Sequence, residues 1–338
     1  MAQNYDWKNL SFDYRKTDCN IRCDFRDGKW GDLVVTTDEY IRMHISTMCL
    51  HYGIEAFEGL KAFRGVAGKV RLFRVDENAK RMQNSARKLC MEPLPVEMFK
   101  EACVNLVKKN MDYVPPYESG AALYLRPLIY GSHVGLGVHK SPETSFLVYC
   151  CPVGPYFKRG MVMIKVVIDR MQDRSAPRGT GDIKAGGNYA SSILSGEKAH
   201  DMGYSNVMYL DAATHTYIEE CGAANFFGIK DGKYITPASP SILPSITNLS
   251  LRTLAEEVGL EVEQRPIPLT ELSSFQEAGA CGTAAVIAPI ESIYDLDTHE
   301  FIEYGKEVGP WCNKLRNMLQ DIQYGRAEDR YGWCTIVE

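Results

Sequence analysis

The chain has no apolar run of the ~18 residues that a membrane-spanning helix needs, and this argues against a membrane span. It has little charge imbalance: 38 basic against 43 acidic residues, a formal net charge of −5. That excludes the basic stripe of a nucleic-acid binder and the polybasic patch of a membrane-surface protein. It has no Cys-x-x-Cys motif, and its eleven cysteines are scattered. With a polar Met1–Asn9 lacking an apolar signal core, this predicts reduced thiols and a cytoplasmic location. His133 and His139 stand six apart, a spacing that falls on different helix faces, so no metal site is expected. No internal repeat or low-complexity tract occurs. No Gly-x-Gly-x-x-Gly follows a strand pattern, so a Rossmann site has no support.

What remains is 338 residues, 45% of them hydrophobic. At roughly 150 residues per domain, two domains with sizeable cores are expected. Strands and helices mix without strict alternation, which favours an α+β fold over a doubly wound one. Val70–Val75 reads as a strand. Asp76 reads as the N-cap of a helix to about Leu89. A second amphipathic helix carries Val96, Phe99, Cys103, Leu106 and Val107. Ala121–Tyr130 and Ser145–Val153 read as strands. Pro152–Gly160 reads as a crossover, with a β-rich run from Met161 to Ile168. A helix is expected over about 189–201, another opening after Leu243–Asn248, and a late one over 305–320.

The stretch Thr180-Gly181-Asp182-Ile183-Lys184-Ala185-Gly186-Gly187-Asn188-Tyr189 places one lysine among small residues. Taken alone it is a surface turn with a solvated lysine. Held short of water, the same lysine can lose its proton and attack an aldehyde to form a Schiff base. Tyr189 offers a phenol beside such an imine. Ser245-Ile246-Thr247 at a helix start is an ordinary cap or a phosphate cradle of outward N–H groups. Gly282-Thr283-Ala284 is a strand-entry turn or a second nest of donors. Arg81 is a solvated helix arginine or a fixed positive charge for the same phosphate. Glu220 is an exposed strand-end carboxylate or, if buried, the partner of a cation such as a protonated pyridine nitrogen. Tyr52, Phe57, Tyr124 and Tyr156 pack in a core or wall an apolar pocket with phenol tips.

Together these segments resemble the branched-chain amino acid aminotransferases, pyridoxal-phosphate enzymes of fold type IV with a D-amino acid aminotransferase-like architecture. The resemblance covers about residues 20–328. It is carried by Leu50-His51-Tyr52, Phe57-Glu58-Gly59, Lys61-Ala62-Phe63 and Leu123-Tyr124-Leu125-Arg126-Pro127. It continues through Cys151-Pro152-Val153-Gly154, Lys184-Ala185-Gly186-Gly187-Asn188-Tyr189, Glu220-Cys221-Gly222 and Ile322-Gln323-Tyr324-Gly325.

It implies a smaller N-terminal domain, 1–157, and a larger cofactor-bearing domain, 158–338. It implies transamination between L-leucine, L-isoleucine or L-valine and 2-oxoglutarate. Lys184 would carry pyridoxal 5′-phosphate as an imine, Tyr189 would bond its phenolic oxygen and Glu220 its ring nitrogen. Arg81, Ile246, Thr247 and Thr283 would hold the phosphate. Thr283 and Ala284 would take the substrate α-carboxylate, and Tyr52, Phe57, Tyr124 and Tyr156 its side chain. Arg126 would bind the distal carboxylate of glutamate, and Val138 would reach a neighbouring subunit's pocket in a homodimer.

Three segments depart from the family pattern. Pro244-Ser245-Ile246-Thr247-Asn248 stands where relatives often have Pro-Gly-Val-Thr-Arg. Ala223 stands where some carry threonine. Ala285 and Ala288 occupy the places of a mammalian Cys-x-x-Cys, so no thiol switch is expected there. Two other readings stay open on sequence grounds. One is a D-amino acid aminotransferase or aminodeoxychorismate lyase of the same class. The other is a non-catalytic protein that uses the lysine as a cofactor anchor.

Overall fold

The computed structural model describes residues 5–155 and 161–338. The first elements are β1 (Asn20–Arg26), β2 (Lys29–Trp30), β3 (Val34–Thr36), α1 (Met48–Tyr52), β4 (Glu55–Phe57), β5 (Leu60–Arg64) and β6 (Val70–Phe73). They are followed by α2 (Val75–Lys88), α3 (Val96–Lys109), β7 (Ala122–Gly131) and β8 (Thr144–Val153). Asp27 and Gly28 turn β1 into β2 with φ of 52° and 77°, the left-handed pair that a two-residue hairpin needs. The strands form an antiparallel sheet in the order β6-β5-β7-β8-β1-β2, with β3 on β1 and β4 on β7.

Along β7, Leu123, Leu125 and Ile129 are buried in the core while Tyr124 and Arg126 alternate with them. That is the period of two that puts successive side chains on opposite faces. Pro127 is tolerated inside this central strand for a local reason. Its carbonyl accepts the Glu58 amide at 2.8 Å, so its missing N–H falls opposite the break between β4 and β5. Met82, Phe99, Cys103 and Leu106 of the two helices share one core with Ile21, Leu72, Leu125, Phe146 and Val148.

Asp76, expected as the N-cap, lies inside α2, which is capped two residues earlier. The N-cap is Arg74 at φ 50°, and Val75 is fully buried. Burial of Val75 fixes the entry. Asp76 and Glu77 in the first turn and Arg87 and Lys88 in the last complement the helix dipole.

The chain continues with β9 (Ile164–Ile168), α4 (Gly186–Ala190), α5 (Ile193–Asp201), β10 (Asn206–Leu210), β11 (Ile218–Cys221), β12 (Ala224–Lys230) and β13 (Lys233–Pro237). Next come α6 (Ile246–Glu257), β14 (Glu261–Arg265), β15 (Glu277–Gly282), β16 (Val286–Asp295) and β17 (Phe301–Glu303). Finally come α7 (Pro310–Tyr324) and β18 (Cys334–Val337). The single helix expected over 189–201 is two, α4 and α5.

The second sheet runs β11-β10-β9-β16-β15-β12-β13-β14, with β17 on β16. The start of β12 also pairs with β11, so six strands close into a ring. Only β9–β10, β9–β16 and β13–β14 are parallel. Asn225 to Ile229 of β12 are all buried, as in a strand covered on both faces. β18 adds to the first sheet beside β6. The architecture is α+β.

Contacts divide the chain into two units. The first gathers the described residues through 155, Ile183–Gly186 and Asp321–Glu338. The second gathers those from 161 through Asp182, and Gly187–Gln320. The Lys184 segment therefore groups with the first unit. No helix among the described residues is long and apolar enough to cross a membrane.

Candidate active site

In the first unit Lys184 follows a turn over 177–182 and leads into an isolated β-bridge at Ala185. The Phe57 amide donates to the Lys184 carbonyl at 3.1 Å, and Ala185 bridges Ala56 in antiparallel fashion. The Lys184 amide donates to Ser85 Oγ of α2 at 3.1 Å. A Cβ on Gly186 would run into Glu55 Oε1 as it stands, so a larger residue there would push that carboxylate aside. Burial pushes the Glu55 carboxyl up, and the Gly186 amide opposes the shift.

Lys184 Nζ lies 4.8 Å from the centroid of the Phe57 ring, and Arg126 Cζ also lies 4.8 Å from it. Arg126 reaches the Tyr124 hydroxyl with Nη2 at 3.0 Å and Nε at 3.3 Å. Burial raises the Tyr124 phenol pKa against the nearby Arg126 cation. The ring passes so close to Gly59 that a Cβ there would collide with the Tyr124 hydroxyl. Lys61, opposite Tyr124 in the β5–β7 register, is lowered by burial to about 8.

Tyr52 ends α1, and its hydroxyl donates to the Leu136 carbonyl. Val138, in the same loop, is 86% exposed. That loop also brings His133 and His139 within 5.9 Å, ring centre to centre. It is not helical, so helix-face spacing does not apply there. Among the described residues no three metal-ligating side chains cluster.

Arg81 is not solvated. It makes a two-pronged pair with Glu58, Nε to Oε1 and Nη2 to Oε2, each at 2.7 Å. Asn78, one turn back on α2, adds a 2.8 Å bond to Glu58 Oε2. Sequence reasoning gives Glu58 no role. Its place between Phe57 and Gly59, at the break between two short strands, is the signal that could have found it.

The second unit holds the other residues. Glu220, on ring-closing β11, is 3% exposed. Its Oε1 accepts the Leu243 amide at 2.5 Å and faces Arg174 Nη2 at 3.4 Å. Of the two readings open in sequence, it is the buried carboxylate with a cation beside it. The Leu243 carbonyl also accepts Asn225 Nδ2 at 3.1 Å.

Ser245 caps α6 by accepting the Asn248 amide at 3.2 Å. Ile246 and Thr247 follow as the first helical residues, whose N–H groups have no intrahelical acceptor. Asn248 turns inward. It donates to Thr236 Oγ1 at 2.8 Å and Asn225 Oδ1 at 3.2 Å, and accepts the Tyr234 hydroxyl at 2.9 Å. Thr283 and Ala284 lie in the turn from β15 to β16, which Val286 closes at φ 67°, a strained conformation for a β-branched residue. Tyr189 lies half-buried on α4. Its neighbour Asn188 exchanges hydrogen bonds with Thr180, both at 2.7 Å. Tyr156 lies outside the described residues.

The donor set suits pyridoxal phosphate. A helix N-terminus with a hydroxyl takes a phosphate dianion. A buried carboxylate takes a protonated ring nitrogen. A primary amine lies against an aromatic face. The chain belongs to the class IV aminotransferases, whose family model, described as "Amino-transferase class IV", matches residues 55–293. It is 46% identical to a branched-chain-amino-acid aminotransferase of Haemophilus influenzae, over 99% of this chain and 100% of that one. The crystal structure of the Escherichia coli branched-chain amino acid aminotransferase is similar with a TM-score of 0.79 at 29% identity, covering 96% of this chain and 100% of that one. The branched-chain amino acid aminotransferase of Thermobaculum terrenum, solved in its PLP-form, is similar with a TM-score of 0.76 at 26% identity, covering 96% and 99%.

Proposed function

We propose that the protein moves the amino group between L-leucine, L-isoleucine or L-valine and 2-oxoglutarate, giving branched 2-oxo acids and L-glutamate. The observation that carries this reading is the Phe57 ring, which has the Lys184 amine and the Arg126 guanidinium each 4.8 Å from its centre. An apolar surface suits a branched side chain, and a cation at its edge suits a distal carboxylate. One pocket can then accept both substrates in turn.

Pyridoxal 5′-phosphate, when bound, supplies the electron-withdrawing ring that lets a substrate Cα–H bond break. Lys184 holds that group and carries the proton between Cα and C4′. Glu220 keeps the ring nitrogen protonated. Tyr189 donates to the phenolic oxygen. Ile246, Thr247, Thr283 and Arg81 hold the phosphate, with Arg81 aimed by Glu58. Thr283 and Ala284 take the α-carboxylate. Tyr52, Phe57, Tyr124 and Tyr156 border the side chain, and Arg126 binds the distal carboxylate.

The same proposal keeps the division into domains 1–157 and 158–338 and a cytoplasmic location. It also includes a homodimer in which Val138 borders the neighbouring pocket. Ile45, Leu50, Leu136 and Val138, all more than half exposed, support the dimer, because a second copy would cover them.

A panel of amino donors with 2-oxoglutarate tests the reading. The three branched-chain amino acids should turn over well above D-alanine, and Lys184→Ala should lower turnover by about a thousandfold. Preference for D-alanine, or a Lys184→Ala variant that turns over normally, would sink it.

A further inference from the structure

Arg174 has no place in these assignments, yet it is 7% exposed in the segment between β9 and α4. Its guanidinium gathers three pieces of chain. Nη2 donates to the Gly181 carbonyl at 3.1 Å and to the Ser241 carbonyl, and lies 3.4 Å from Glu220 Oε1. Gly181 belongs to the segment that leads to Lys184, and Ser241 to the one that leads to the cap of α6. The Arg174 carbonyl accepts Ser191 Oγ at 2.8 Å, which ties in α4–α5 as well. Nε is buried without a hydrogen-bond partner. A guanidinium so placed is costly unless a carboxylate compensates it, and Glu220 is that carboxylate.

We propose that Arg174 is a positioning residue for amino transfer and acts through Glu220. This rests on the reading that Glu220 pairs with the protonated ring nitrogen of pyridoxal phosphate. A carboxylate set between two cations stays ionised. Because Arg174 takes part of its charge, Glu220 is also a weaker base, so the shared proton stays on the ring nitrogen. The two carbonyl contacts fix the guanidinium, and the guanidinium with the Leu243 amide fixes the carboxylate. The other titratable groups around Glu220 do not replace this cation. Burial pushes the Glu219 carboxyl up against its Ser239 hydrogen bond and Arg174. Burial also pushes the Cys221 thiol up to about 12 and raises Cys281 further.

The test compares Arg174→Met, Arg174→Lys, Glu220→Gln and the Arg174→Met/Glu220→Gln double variant. Each holoenzyme's cofactor absorption spectrum is titrated with pH, the apoprotein's affinity for pyridoxal phosphate is measured, and turnover is expressed per bound cofactor. In Arg174→Met the spectral midpoint should shift by about one pH unit, kcat should fall about thirtyfold, and KM for leucine and 2-oxoglutarate should change less than about threefold. Arg174→Lys keeps the charge but not the planar guanidinium that Nη2 shares among its three partners, so its midpoint should hold while kcat falls about fivefold. In the Glu220→Gln background, Arg174→Met should cost less than about threefold more.

A purely structural arginine would lower thermal stability and leave the midpoint and kcat per bound cofactor unchanged. That result overturns the proposal, as does a double variant whose losses multiply. If Arg174→Met does not fold, Arg174→Lys decides, and wild-type kcat and cofactor affinity in it overturn the guanidinium's role. A Glu220→Gln enzyme with wild-type midpoint and kcat would instead remove the pyridine-nitrogen reading itself, a failure visible without any Arg174 variant.

Discussion

Glu58 takes two nitrogens of Arg81, Nε on Oε1 and Nη2 on Oε2, both at 2.7 Å, and neither side chain is more than one-tenth exposed. Such a fork fixes the guanidinium in direction as well as place. Glu58→Gln keeps the shape and removes the charge, which leaves Arg81 buried beside a neutral amide. Removing one partner of a buried pair costs about 3–5 kcal/mol. The variant should lose that much in urea unfolding and bind pyridoxal phosphate more weakly. Wild-type values for both would show that the pair has no part in aiming Arg81.

Arg126 is the cation nearest the Phe57 ring apart from Lys184 among the contacts above, and it is anchored to the Tyr124 hydroxyl at 3.0 Å. If it binds the distal carboxylate of glutamate, only one of the two substrates needs it. Arg126→Met should raise KM for 2-oxoglutarate by about 10- to 100-fold, the worth of a charged hydrogen bond, and leave KM for leucine within about threefold. Steady-state kinetics with each substrate varied at saturation of the other gives the answer. Equal losses for both substrates would place the distal carboxylate elsewhere.

Local pattern and long-range pairing divide what the sequence could tell. α3 starts at Val96 as its periodicity predicts, and β7 and the apolar run of β8 are both found to within a residue, because such patterns are local in sequence. The lysine stretch misled in detail. Glycines and an asparagine speak for a turn, which does precede Lys184, whereas the bridge of Ala185 to Ala56 comes from β4, distant in sequence. Glu220 left two readings open for the same reason. A doublet of glutamates reads as exposed until the β11–β12 pairing closes the ring and buries it. Arg174 sits in the polar run Asp173-Arg174-Ser175 and carries no local mark of burial, since its partners come from three separate segments.

Asn248 stands where relatives of this family often carry arginine, and it has been put to a different use. Its amide holds Thr236, Asn225 and Tyr234 together inside the second unit. Asn248→Ala leaves those groups buried and short of a partner. At about 1–3 kcal/mol for each unsatisfied group, with strong non-additivity, a loss of about 3 kcal/mol is expected. Asn248→Arg should destabilise at least as much, because a larger, charged side chain would replace a buried amide whose partners are the neutral Thr236, Asn225 and Tyr234. Differential scanning calorimetry of both variants checks this, and an Asn248→Arg protein as stable as wild type would refute the inward role.

Arg170 and Asp295 give the second unit an acid-sensitive link. Arg170 Nη2 lies 2.5 Å from Asp295 Oδ2. Burial alone would raise the Asp295 carboxyl. The Arg170 hydrogen bond and the amides of Asp297 and Thr298 outweigh it, so the folded pKa lies below the ordinary 3.8. A carboxylate depressed on folding stabilises the protein at any pH above its unfolded value. That stability is lost as pH falls through the folded value. Asp295→Asn removes it at every pH, so the variant should melt below wild type at pH 7 by the equivalent of about 1.5–3 kcal/mol. The gap should hold down to about pH 5 and then narrow below about pH 4, as the wild type is protonated toward the variant's state. Thermal unfolding of both proteins across this range measures it. A gap that stays constant down to the lowest pH at which both fold would mean that Asp295 gains nothing from its charge.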